Sequence, residues 1–115
     1  MPSTVYKICP IALWREAEKD GVFTGAPVDL KDGFIHFSTA GQVRETAARH
    51  FDGQTNLVLV ALDAEKLGPA LKYERSRGGD LFPHLYGTFG IGCVRWVKPL
   101  PLGPEGGHDF PDLET

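Results

Sequence analysis

Apolar residues along the chain gather in short blocks divided by glycine and proline, a pattern of many short elements. TVYKICP (4–10) reads as a first strand stopped by Pro10, and IALWREAEKDG (11–21) as a helix with an Ile11/Trp14 apolar spacing and Gly21 as terminator. VFTGAPVDLKD (22–32) reads as a loop. In GFIHFS (33–38) the strand period of two puts Phe34, His36 and Ser38 on one face and Ile35 and Phe37 on the other. A histidine and a hydroxyl thus point away from the expected core. A helix is expected from Ala40 to about Phe51, with Val43, Ala47, His50 and Phe51 as its inner stripe. Thr39, with Gln42 three residues on, fits a capping box that opens it.

NLVLVAL (56–62) is almost continuously apolar, as expected of a central strand covered on both faces, and DAEKLG after it is one helical turn closed by Gly68. ALKYERSRGGDLFPHLYGTF reads as a strand, a Gly78-Gly79-Asp80 turn and an extended segment broken by Pro83. IGCVRWVKPL is a last strand ending at Pro99. These elements predict an α+β domain over residues 1–99, with mostly antiparallel strands and about two main helices. A Pro/Gly-rich acidic tail without periodicity follows over 100–115.

At 115 residues the chain suits one core. A net charge of −3 and a pI near 5.7 tell against a long nucleic acid as partner. No apolar run approaches the roughly 20 residues that span a bilayer, and the N-terminus has no basic region before a long apolar run, so a cytoplasmic protein is expected. Cys9 and Cys93 lack a CxxC or neighbouring histidines, which favours free buried thiols over a disulfide or a zinc site; no metal is expected. A Walker loop, GxGxxG, GxSxG and HExxH are all missing.

Three constellations could carry chemistry. His36 and Ser38 precede a helix start whose free N–H groups favour anionic or carbonyl oxygens; alternatively His36 bonds a backbone carbonyl and Ser38 caps the helix. In LFPHLYG, Phe82, His84 and Tyr86 share one face when extended and offer an imidazole between two rings, unless the rings are core aromatics. Glu74, between Tyr73 and Arg75 and near Arg77, is either a general base or ribose ligand, or an exposed acid paired with arginine.

GFIHFSTAGQVRETAARHF, LKYE and DLFPHLYG, in that order and at those separations, resemble a small bacterial family catalogued as domain of unknown function 952. The resemblance spans Tyr6 to Pro99. It implies an ADP-ribosyltransferase-like fold, in which NAD lies in a cleft between two small antiparallel sheets. One branch of such transferases carries His-Gly-Ser on a strand. Its histidine and serine touch the nicotinamide-side ribose, and the backbone between them holds the carboxamide. His36, Phe37 and Ser38 are the matching residues, phenylalanine keeping the backbone groups and adding a ring. Tyr86 matches a stacking tyrosine. The glutamate that follows that tyrosine has no counterpart, because the later acids Glu105, Asp109, Asp112 and Glu114 all lie in the tail, and Glu74 comes before it. Related NAD-dependent RNA 2′-phosphotransferases use arginines and a histidine instead, parts open to Arg75, His84 and Arg95.

The resemblance and the residues together give one expectation. His36, Phe37, Ser38, Thr39 and Tyr86 would hold NAD or a related nucleotide, and Glu74 and His84 would carry ADP-ribosyl or 2′-phosphoryl transfer. A different class remains open, a non-catalytic module holding a small metabolite or a partner peptide in the same pocket.

Overall fold

The computed structural model describes residues 3–115, and at Arg77 the backbone alone. Strand β1 (Thr4–Pro10) leads directly into helix α1 (Ile11–Asp20), which ends at Gly21 in the left-handed conformation at φ 78°. A two-residue strand β2 (Val22–Phe23) and a six-residue helix α2 (Pro27–Asp32) follow, where the sequence suggests only loop. The missed signal is Pro27 at the first helical position with Asp29 two residues on, a common helix opening.

Next come β3 (Ile35–His36), α3 (Val43–His50), β4 (Leu57–Asp63) and α4 (Ala64–Leu67). The chain closes with β5 (Leu71–Arg75), β6 (Leu81–Leu85), β7 (Phe89–Gly90) and β8 (Val94–Pro99). Helix α3 starts at Val43 and not at Ala40, because Thr39 to Gln42 form a turn in which both Gln42 and Val43 donate to the Thr39 carbonyl. Only half of the expected capping box forms: Gln42 Oε1 accepts the Thr39 N–H at 3.1 Å, while no side chain caps the helix start.

Among the described residues the strands form three antiparallel sheets, β1-β4-β8, β2-β7 and β3-β6-β5, and with four α-helices the class is α+β. Strand β4 is the middle of the first sheet. Val58, Val60 and Leu62 pack into one apolar cluster, and Leu57, Leu59 and Ala61 into a second on the opposite face. Burial on both faces is the reason its sequence is uniformly apolar. The first cluster holds Trp14, Phe23, Ile35, Phe37 and Phe89, and the second holds Tyr6 and Val43. Leu100 is fully buried in the second cluster, against which Phe110 and Leu113 also pack. The aperiodic end of the chain is therefore docked: Tyr6 donates its hydroxyl to the Glu114 carbonyl at 2.8 Å and accepts the Glu114 N–H at 2.7 Å.

Cys9 and Cys93 are both free. Burial pushes the Cys9 thiol up to about 12, so it is an inert part of the core. No helix among the described residues is long and apolar enough to cross a membrane.

Candidate ligand-binding site

Helix α2 buries an acid where an apolar side chain would be usual. Val28 and Leu30 are exposed, whereas the Asp29 side chain is 1% accessible. That carboxylate accepts the Ala26 N–H at 2.8 Å, the His36 N–H at 3.0 Å and His36 Nδ1 at 2.7 Å, and pairs with Lys7 Nζ at 2.9 Å. Lys7 occupies an inward position of β1, and its Nζ also donates to the His36 carbonyl at 3.0 Å. A charged pair is thus sealed between β1, α2 and β3, with Asp29 Oδ1 and Lys7 Nζ both bonded to His36 and Asp29 Oδ2 holding the start of α2 at Ala26.

The electrostatics follow from the burial. Burial alone would raise the Asp29 carboxyl, but the His36 hydrogen bond and the Lys7 charge overcome it and hold the group at about 2, against an ordinary 3.8. Burial draws the Lys7 ammonium below its ordinary value by more than Asp29 raises it. For Lys7 the attraction does not wholly return the lost hydration, whereas for Asp29 the hydrogen bonds and the opposite charge more than return it. Because folded Asp29 binds its proton more weakly than the unfolded chain does, its contribution is complete above about pH 4 and is lost as pH falls through about 2. Urea unfolding across that window should show a loss of about 2 kcal/mol, and Asp29→Asn should flatten it.

His36 is fixed at both ends of its ring, with Nδ1 on Asp29 and Nε2 2.9 Å from Asp32 Oδ2. Each ring nitrogen therefore faces a carboxylate oxygen, and the ring cannot turn without losing both contacts. In the sheet His36 lies directly opposite His84 of β6, and the ring centroids are 5.6 Å apart. Phe34 covers both, with its centroid 4.6 Å from the His36 ring and 4.1 Å from the His84 ring.

Strand β6 is the middle of its sheet although it contains Pro83. In an antiparallel strand a residue's N–H and C=O point to the same side, and the Pro83 carbonyl accepts the Phe37 N–H at 3.0 Å on the β3 side. The missing proline donor therefore costs the β5 ladder nothing, and it falls where pairing with β3 has just ended. One residue further on, Ser38 exchanges two backbone hydrogen bonds with Tyr6 of the first sheet, at 2.8 and 2.9 Å. The chain passes from one sheet to another across Phe37.

His84 is buried, and its Nδ1 lies 2.8 Å from Glu74 Oε1, which also accepts the Tyr86 hydroxyl at 2.7 Å. Glu74 pairs with a histidine and a tyrosine and not with Arg75, whose guanidinium turns to the Gly79 carbonyl; the Arg77 side chain lies outside the described residues. The Tyr86 hydrogen bond, and after it His84, holds the Glu74 carboxyl below its ordinary value, and the same bond raises the Tyr86 phenol. Tyr86→Phe should shift the Glu74 titration upward, read from the carboxyl carbon by NMR.

These side chains surround a cavity of about 570 Å³. His36, Ser38 and His84 line it together with Asp32, Thr46 and His50, while Ile8, Val28, Phe51 and Phe82 supply apolar wall. Ser38 Oγ is 2.8 Å from Thr46 Oγ1. Phe37 also lines the cavity, with its N–H already given to Pro83. Thr39, Glu74 and Tyr86 are not among the lining residues; the Tyr86 ring lies tilted against Phe34, centroids 5.3 Å apart, and Glu74 links it to His84. Arg95 pairs with Asp63 on the other sheet, at 3.8 Å. Among the described residues no cluster of His, Cys, Asp or Glu is arranged to hold a metal ion.

Sequence reasoning missed Lys7, Asp29 and Asp32. Lys7 had a signal, as the one charge at the inward positions Val5, Lys7 and Cys9 of an otherwise apolar strand. Asp29 and Asp32 had only the helix opening at Pro27.

The protein is similar to protein CC0527 from Caulobacter crescentus, whose crystal structure is 48% identical in sequence, covers 93% of this chain and 94% of its own, and superposes with a TM-score of 0.89. The solution NMR structure of CC0527 is 49% identical over 90% of each chain, with a TM-score of 0.82. No curated protein matches. A family model described as a protein of unknown function, DUF952, matches residues 8–97, and the chain belongs to that family.

Proposed function

We propose that the cavity binds NAD or a related nucleotide, and that its chemistry is transfer of an ADP-ribosyl group, or NAD-dependent transfer of a 2′-phosphoryl group. The carrying observation is the convergence on one cavity between separate small sheets of His36 and His84, paired in register on β3 and β6, with Ser38, which bridges to the first sheet. Its volume lies in the range of small-molecule sites, and it has a polar side and an apolar side. Sheets flanking a cleft also support reading the fold as a variant of the ADP-ribosyltransferase arrangement.

Each residue then has a part. With Nδ1 held by Glu74, His84 has Nε2 left to take a proton from an acceptor hydroxyl. Ser38 offers a hydrogen bond to a ribose hydroxyl, and His36 offers one at Nε2 when a ligand takes the place of the Asp32 contact. Phe37 lines the cavity, but its N–H is already given to Pro83 and cannot also serve a carboxamide. Glu74 fits a positioning part better than that of a catalytic acid, because Oε1 is committed to His84 and Tyr86.

That commitment is also what favours a second reading, a binding module without turnover. Calorimetry with NAD and ADP-ribose tests the first reading. The parent should bind, and His36→Ala should lose about 1–3 kcal/mol of binding; because it also takes a hydrogen bond from the buried Asp29 carboxylate, its melt should fall but stay cooperative, and is recorded before the titration. Equal affinities would remove His36 from the site. Nicotinamide release followed in parallel separates transferase from module.

A further inference from the structure

We infer that Asp32, and not Glu74, is the carboxylate that meets the ligand, and that with His36 it reads the cis-diol of a ribosyl group; this rests on the nucleotide reading above. Asp32 is the last residue of α2, and its side chain lines the cavity. Its Oδ2 lies 2.9 Å from His36 Nε2, with the carboxylate 38% and the imidazole 33% accessible. The contact is open to exchange with a ligand, whereas Asp29 on the other ring nitrogen is sealed.

The chemistry of the pair points to a diol. Each hydroxyl of a vicinal diol can donate and accept; a carboxylate accepts from both, and a neighbouring imidazole N–H donates back to one. An acidic side chain on ribose hydroxyls is a recurrent way of recognising nucleotides. A diol would take over the hydrogen bond between His36 and Asp32 without leaving either group unpaired. Glu74 lacks this position, since it stands outside the cavity lining with Oε1 used twice.

The test compares NAD with its analogue lacking the 2′-hydroxyl of the nicotinamide riboside, by calorimetry, on the parent, Asp32→Asn, Asp32→Ser and Glu74→Gln, each first checked for a cooperative melt. The parent should favour NAD by about tenfold; both Asp32 variants should lose about tenfold in affinity for NAD and bind the two ligands alike. Glu74→Gln should keep the preference for NAD over the analogue at whatever affinity it has, because the discriminating carboxylate is untouched. Asp32 variants that still discriminate, or a Glu74→Gln that does not, overturn the assignment while leaving the nucleotide reading in place. A parent that binds neither ligand overturns both.

Discussion

Lys7→Met should destabilise the protein by about 3–5 kcal/mol, because it strips the Asp29 carboxylate of its charge partner inside the fold. Asp29 would keep the Ala26 and His36 donors but would remain an anion in a space that is 1% accessible. The loss should fall in the double variant Lys7→Met/Asp29→Asn, where the uncompensated charge is gone and the single amide oxygen can still accept from His36, at the cost of the Ala26 hydrogen bond made by the other oxygen. Urea unfolding of parent, single and double variants gives the comparison. A single variant as stable as the parent would mean that the pair is not sealed.

Val58→Asp should be more severe, at roughly 4 kcal/mol or more. Val58 is 5% accessible and sits in β4 between Cys9 and Pro99 of the flanking strands, facing the larger apolar cluster. A total stability of about 5–15 kcal/mol leaves little after such a loss, so the variant should lack a cooperative melt by calorimetry. A soluble, cooperatively melting Val58→Asp would show that the sheet is not centred on β4.

What the sequence disclosed depended on how local the cause was. Strand β4 could be read because burial on both faces imposes an unbroken apolar run, and α1 because an apolar spacing and a terminal glycine lie within a few residues of each other. The alternation in GFIHFS placed Ile35 and Phe37 in the core with His36 and Ser38 along the cavity, since a strand's faces are fixed by its own period. Helix α2 could not be read from periodicity. Its six residues are held by one buried carboxylate and not by an apolar stripe, and the partner Lys7 is 22 positions away. For the same reason nothing local marks Asp29 and Asp32 as partners of His36, and nothing local tells that Glu74 and Tyr86 meet His84 and each other outside the cavity lining. Which side of an imidazole a carboxylate takes is a fact of the assembled sheet. The docking of Glu114 on Tyr6, across 108 positions, is likewise beyond any local pattern.

Pro83 does more than tolerate its place in a middle strand. Slipping β3 by one residue against β6 would turn His36 and His84 away from each other and bring Ile35 out of the core. A slip of two would preserve the faces, and it is the harder error to exclude. Continued zipping past His36 meets a residue with no N–H to give, so the ladder gains only one bond at that step, and the chain does better by leaving for Tyr6 through Ser38. A missing hydrogen-bond donor thus acts as a stop that sets the alignment of the two histidine strands and leaves this short edge a single favoured pairing.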